Sequence, residues 1–279
     1  MNEVSRLDDK IAVVTGGGRG IGRATALTLA RAGAAVAVAA RTEEEIAAVA
    51  EEIREAGGQA MAVPTDITSW AAVQHLADEV ARAYGPADIV VANAGIVKPV
   101  EDTWAVAPEA WAQNVDVNLT GAFYTARAFL PAMMEREARE AGVVIFVSSG
   151  AATHPVPGWS AYCAAKAGLD HFARNVASEI DRRGSSIRIH TLYPGIVDTS
   201  MQTRIRELSE EQFPQAEKYR AYYEKNQLRP PEEPATLIWW LTTPMAADFH
   251  GQAANIDDAE VRRRIAADLD IPEFGGRKR

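Results

Sequence analysis

The sequence predicts an α/β fold: a doubly wound, mostly parallel sheet of seven strands flanked by helices, in a single domain over residues 1–279. Three observations carry that prediction. Short apolar, β-branched runs alternate with stretches of helical spacing along most of the chain. The first run opens directly into a glycine-rich turn and then an Ala-rich helix. The most apolar run, residues 143–147, ends in Ser148 and Ser149 before a Pro/Gly turn and a second Ala-rich helix.

In chain order, residues 10–15 form the first strand, and Gly16, Gly17, Gly18, Arg19, Gly20, Ile21 and Gly22 make the turn into a helix over 23–32. Residues 35–40 form the second strand, which ends at Arg41-Thr42 before a helix over 43–55. The third strand, 59–63, leads through Asp66 and Ile67 to Ser69, a suitable cap for a helix ending near Tyr84, where Gly85-Pro86 stops it. The fourth, 89–92, closes on Asn93-Ala94-Gly95. Pro108 starts a helix expected to run to about Arg139, with the polar Asn118 in apolar surroundings. A buried amide needs partners, so it is either satisfied within the core or distorts the helix locally and holds a water.

The helix from Ser160 to 181 precedes a strand over 186–192 and the loop Tyr193-Pro194-Gly195-Ile196-Val197-Asp198-Thr199. Residues 200–228 are polar, charged and aromatic together, the composition of an exposed helical insertion on the substrate side or of a surface elaboration. A proline-rich break at 230–234 separates it from a helix over 235–241. There, adjacent Trp239 and Trp240 should not share one core, which leaves one of them to line a pocket or an oligomer contact. A last strand over 251–256 and a C-terminal helix and tail over 259–279 complete the chain.

Composition narrows the function. With 47% hydrophobic residues the chain can bury one large core, and its formal charge of -9, without a Lys/Arg block, argues against nucleic acid as a partner. The basic 275–279 end is short and reads as a solvated terminus. Residues 1–10 lack the apolar centre of a signal peptide, and no apolar run approaches membrane-spanning length, so no membrane partner and a cytoplasmic location are expected. The single cysteine, Cys163, fits a reducing compartment and reads as structural. No His cluster or carboxylate pair has metal-ligand spacing, so no metal is expected.

The chemistry lies at the strand ends. Glycines allow close backbone approach to a pyrophosphate, and the free N–H groups of a helix start favour its charge. Arg41, where an acid would otherwise meet ribose hydroxyls, suits a 2′-phosphate, and Arg19 could add a second contact. Tyr162 and Lys166 lie one helical turn apart. A phenol is a poor acid-base catalyst near neutrality unless a fixed cation favours its ionised form, and Lys166 can supply that cation.

Together, Thr15-Gly16-x-x-x-Gly20-x-Gly22, Asn93-Ala94-Gly95, Asn118, Ser149, Tyr162-x-x-x-Lys166 and Pro194-Gly195 resemble the short-chain dehydrogenase/reductase family, over about residues 7–256. The resemblance implies a Rossmann-type fold with a catalytic set of Asn118, Ser149, Tyr162 and Lys166. Tyr162 would act as general acid or base and Ser149 would bind the reacting oxygen. Lys166 would lower the phenol's pKa and hold the nicotinamide ribose, and Asn118 would hold a water in a proton relay. Gly16, Arg19, Gly20, Ile21, Gly22 and Arg41 would bind the phosphates. Asp66, Ile67, Asn93, Ala94 and Gly95 would lie near the adenosine half, and Pro194, Gly195, Ile196 and Thr199 near the carboxamide.

Arg41 favours NADP(H) over NAD(H) as cofactor. The expected substrate is a small carbonyl or alcohol, apolar or cyclic, between walls formed by Val97, His154, Trp159 and Met201. The same set would serve a 3-oxoacyl thioester reductase, and the fold alone would serve a non-catalytic dinucleotide sensor. The family commonly forms homotetramers or homodimers through its long helices, and a homo-oligomer is expected here. One departure stands out: many members close the last strand with Asp-Gly-Gly, where this chain reads Asn255-Ile256-Asp257-Asp258.

Overall fold

A computed structural model describes residues 5–135, 142–271 and 274. The expected end of the long helix near Arg139 and the basic 275–279 segment lie outside the described residues. Seven strands form one parallel sheet in the order β3-β2-β1-β4-β5-β6-β7. They are β1 Ile11–Thr15, β2 Ala35–Ala40, β3 Ala60–Pro64, β4 Ile89–Ala92, β5 Val143–Val147, β6 Arg188–Tyr193 and β7 Ala253–Asn255. Strand order reverses between β1 and β4, so the carboxyl ends of these two strands flank the crevice where such sheets take ligands.

Side chains alternate across the sheet as strand geometry requires. In β5, Val143, Ile145 and Val147 join the core on one face, while Val144 and Phe146 join the other. The first face is covered by α1 (Gly20–Arg31), α2 (Glu43–Glu55), α9 (Glu232–Thr242) and α10 (Ala259–Asp268). The second is covered by α3 (Trp70–Ala83), α5 (Gly121–Glu135) and α6 (Ser160–Arg182). Helix α2 shows the cause plainly: Ile46, Val49, Ala50 and Ile53 recur at helical spacing and are buried, while Glu43, Glu44 and Glu45 occupy the first turn, where the helix dipole favours them. Ser69 caps α3 as expected, its Oγ accepting from the Ala72 amide at 3.3 Å.

Two expectations need correction. The break before the tryptophan helix is shorter than the prolines suggested: α9 begins at Glu232, because Pro234 falls in its first turn, where a missing N–H costs nothing. Both tryptophans are core residues, so neither is free for a pocket or an oligomer contact. Trp239 is 8% and Trp240 0% exposed. Trp239 packs towards the start of the chain and donates from Nε1 to the Ser5 carbonyl, whereas Trp240 donates to Asp268 Oδ2 at the end of α10. The two rings thereby fasten the two ends of the described chain to the same helix. Replacing Trp240 by alanine should cost roughly 3–5 kcal/mol of unfolding free energy. Trp240→Phe, which loses mainly the bond to Asp268, should cost about 1 kcal/mol; chemical denaturation of both variants checks the ordering.

The long helix is also interrupted. α4 (Pro108–Val115) passes into a π-turn at Asp116–Thr120 before α5 resumes. This is the local distortion expected at Asn118, which lies inside the turn.

Candidate active site

The glycine turn is pressed onto the loop after β4. Gly16 has φ +64, and a Cβ there would stand 2.8 Å from Ala94 Cα. At Gly22 a Cβ would come within 2.1 Å of the Gly16 carbonyl oxygen. Asn93 ties the loops together, donating from Nδ2 to the carbonyls of Thr15 at 2.9 Å and Gly16 at 3.1 Å, while Thr15 Oγ1 accepts from the amides of Asn93 and Ala94. Helix α1 starts at Gly20 without a side-chain cap and without an acid in its first turn. Its leading amides thus suit a pyrophosphate, in contrast with the glutamate-filled start of α2.

Ile21 packs against the core beneath this turn. Arg19 is exposed, and its Nη1 lies 3.4 Å from Glu45 Oε1. Arg41 is exposed at the end of β2. Asp66 Oδ1 accepts from the amide and hydroxyl of Thr68, ordering its own loop, and Ile67 is buried against Gly121. Across the crevice, Thr199 reaches the glycine turn: a Cβ at Gly20 would meet its Cγ2 at 3.1 Å.

At the end of β5 and the start of α6 the structure brings Ser149, Tyr162, Lys166 and Asn118 to one place. Lys166 is 4% exposed, donates from Nζ to the Val147 carbonyl at 2.8 Å, and lies 5.8 Å from the centre of the Tyr162 ring. A Cβ at Gly95 would stand 2.8 Å from Asn118 Oδ1, close enough to displace that side chain, and 3.6 Å from Lys166 Nζ, an ordinary contact. Ser149 caps a short 3₁₀ turn, Gly150–Ala152, and its Oγ accepts from the Ala151 amide. Ser148 is buried at 2% exposure beneath the site.

Burial pushes the Tyr162 phenol above its ordinary value, and the neighbouring Ser149 hydroxyl draws it only partly back. Burial lowers Lys166 from 10.5 to about 8, opposed by the charge of Asp170.

Asn114 and Asp170 escaped the sequence reading, which placed Phe213 and Tyr219 only within the aromatic 200–228 insertion. Asn114, 0% exposed, accepts from Asn118 Nδ2 at 2.9 Å and donates to the Lys98 carbonyl at 2.7 Å; Asn118 in turn exchanges bonds with the main chain of Ile96. Its place four residues before Asn118 was the available signal. Asp170, one turn beyond Lys166, is 5% exposed and accepts from the Tyr193 hydroxyl at 2.5 Å.

Phe213 and Tyr219 come from the 200–228 insertion, which folds as α7 (Ser200–Arg206) and α8 (Ala216–Glu224). Phe213 stacks on Trp159 with ring centres 5.0 Å apart and planes 5° apart, and Trp159 meets Tyr162 edge-on at 5.5 Å. Tyr219 lies 5.7 Å from Trp159; burial first and then the neighbouring Tyr162 phenol raise its pKa. Val97, Trp159, Tyr162 and Phe213 share one apolar cluster with Met201 packed against it. His154 is exposed, and the cluster does not include it.

The lysine shift fixes a sign for stability. Between pH 8 and 10.5 the unfolded chain still binds the proton that folded Lys166 has lost, so folding should gain up to roughly 3 kcal/mol as pH rises through that window. Lys166→Met should lack that gain. Denaturation of both proteins across the window checks it, and parallel pH profiles would contradict it.

Comparison with known proteins agrees with this geometry. The family profile described as short chain dehydrogenase matches residues 10–210. An uncharacterized oxidoreductase of Mycobacterium tuberculosis is 34% identical over 98% of this chain and 99% of its own length. A 3-oxoacyl-[acyl-carrier-protein] reductase of Synechocystis is 33% identical over 92% of this chain and 99% of that protein. A solved 7α-hydroxysteroid dehydrogenase, complexed with NADH and 7-oxo glycochenodeoxycholic acid, superposes with a TM-score of 0.80 at 28% identity, covering 91% of this chain and 96% of the other. Among the described residues no group of three or more His, Cys, Asp or Glu is placed to hold a metal ion, and no helix is long and apolar enough to cross a membrane. A strand-ordered crevice closed by a glycine turn and faced by a buried Tyr-Lys pair, on a chain matched over most of its length, places this protein in the short-chain dehydrogenase family of oxidoreductases.

Proposed function

We propose that the chain interconverts an apolar, cyclic ketone and its secondary alcohol with NADP(H). The observation that carries this reading is the convergence of Tyr162, Lys166 and Ser149 at the end of β5, beside an uncapped glycine-rich helix start. The nicotinamide, when bound, supplies or accepts the hydride. Gly16, Gly20, Ile21 and Gly22 would hold the pyrophosphate, with Asp66, Ile67, Asn93, Ala94 and Gly95 near the adenosine half and Pro194, Gly195, Ile196 and Thr199 near the carboxamide. Arg41 would bind the 2′-phosphate through its planar fork, and Arg19 would join it by exchanging its long contact with Glu45.

Reduction of a carbonyl builds negative charge on oxygen. Tyr162 would deliver its proton there while Ser149 donates a hydrogen bond, two contacts that strengthen as the charge develops. The phenol of the free protein is protonated near neutrality, the form a general acid needs, and burial raises its pKa further, a cost that the reaction must offset. Lys166 would orient the cofactor ribose and pass on the replacement proton, with a water at the Asn118 turn completing the relay.

The substrate wall supports the cyclic class. Trp159, Tyr219, Val97 and Met201 place apolar side chains beside Tyr162, with the fully buried Phe213 stacked on Trp159, surroundings that suit a ring-shaped ketone better than a charged one. A similar solved enzyme holds a 7-oxo steroid conjugate. The relative from Synechocystis favours a second reading, a 3-oxoacyl thioester reductase. Phe123 and Met134, exposed on α5 at 43% and 39%, support assembly into a homodimer or homotetramer.

NADPH and NADH oxidation, followed by absorbance against cyclic ketones and 3-oxoacyl thioesters, tests the reading. Turnover is expected with NADPH and a cyclic ketone; thioester turnover alone would replace the substrate class, and dinucleotide binding without any turnover would leave a sensor. Tyr162→Phe should lower turnover by about 10²- to 10⁴-fold while NADPH binding, measured by fluorescence, stays near wild type. Arg41→Ala should cut the preference for NADPH over NADH by about tenfold or more, the loss of a charge-assisted contact; an unchanged ratio of kcat/KM values would show that NADP(H) selection lies elsewhere.

A further inference from the structure

The loop after β6, residues 194–199, is fastened by a residue that no motif includes. Arg229 follows the insertion and is 2% exposed. Its amide donates to the Ile196 carbonyl at 2.9 Å and its carbonyl accepts from the Asp198 amide at 2.8 Å, bracketing Val197. Its guanidinium spans two carboxylates. Nη1 donates to Glu233 Oε2 at 2.5 Å in the first turn of α9, and Nη2 donates to Asp257 Oδ1 at 2.6 Å, just past β7. The side chain lies against Gly195: φ there is +71, and a Cβ would stand 3.1 Å from Arg229 Nε. The far end of the same loop, Thr199, touches Gly20 of the glycine turn.

We propose that Arg229 is a positioning residue, which holds residues 195–199 at the depth where they meet the nicotinamide half of the cofactor and anchors them to Glu233 and Asp257. The inference rests on the reading that this loop faces the nicotinamide. Its physical basis is the cost of leaving a buried guanidinium without its carboxylate partners, which makes the three-way contact hard to loosen piecemeal. Lysine cannot replace it, because one ammonium does not bridge two carboxylates in a fixed plane.

The test uses Arg229→Gln, Arg229→Lys and Asp257→Asn, none of which removes a group placed at the reacting atoms. Three quantities are read: the NADPH dissociation constant by fluorescence without substrate, the split between KM for NADPH and kcat, and the face from which deuterium is transferred out of 4R- and 4S-deuterated NADPH. A nicotinamide seated against a loosened loop should bind about tenfold more weakly, lower kcat by about tenfold to a hundredfold and give deuterium from both faces, at assay temperatures where the variants remain folded. Asp257→Asn should show the same pattern in smaller degree, and it decides the question alone should the Arg229 variants not fold. Folded variants with wild-type NADPH binding and transfer from a single face would overturn the proposal while leaving the functional reading intact. A wild-type protein that binds neither NADPH nor NADH would overturn the functional reading, and this one with it.

Discussion

The arrangement depends on burying one ammonium. Lys166 has 4% of its surface exposed, and its bond to the Val147 carbonyl is available only because β5 ends where α6 begins its second turn. An isolated buried cation would shed its proton, and the shift of Lys166 to about 8 shows how far burial goes in that direction. Asp170 opposes it from one turn along the same helix, and the Tyr193 hydroxyl holds that carboxylate from β6. The neighbouring loop approaches closely: a Cβ at Gly95 would press on the Asn118 side chain at 2.8 Å.

From this point outward the site is an assembly of strand ends. β1 and β4 part at the reversal of strand order, and Asn93 binds the glycine turn to the next loop by two side-chain hydrogen bonds. The π-turn at Asp116–Thr120 brings Asn118 to the back of the site, where with Asn114 it grips the main chain of residues 96–98. The insertion stacks Phe213 on Trp159, the residue just before α6, so the insertion and the helix carrying Tyr162 are packed together.

Much of the fold was legible because its signals are local. The bounds of β2, α2 and β4 match the predicted runs, and Ser69 caps the helix it was expected to cap. The failures were tertiary. Adjacent tryptophans point to different parts of one helix surface, yet both are buried, since the two ends of the chain come back to cover them. The identities and order of Ser149, Tyr162 and Lys166 were readable, but the direction of the Tyr162 shift was not, because desolvation is a property of everything packed around the phenol. Asn114, Asp170, Tyr219 and Arg229 work through contacts with distant segments; in the sequence they are ordinary polar or aromatic residues. The four-residue spacings Asn114–Asn118, Lys166–Asp170 and Arg229–Glu233 were local traces of three of them.

The central claim is that burial raises the Tyr162 phenol above its ordinary pKa in the free protein; under the proposed function, the positive ring of an oxidised dinucleotide would ease it towards ionisation. The direct measurement is the titration of Tyr162 by nuclear magnetic resonance with ring-labelled tyrosine, assigned through Tyr162→Phe, in the free protein and with NADP⁺. The account predicts a pKa above the ordinary value of about 10 in the free protein and a clear fall on binding NADP⁺. An ordinary pKa that the cofactor leaves unmoved would contradict it.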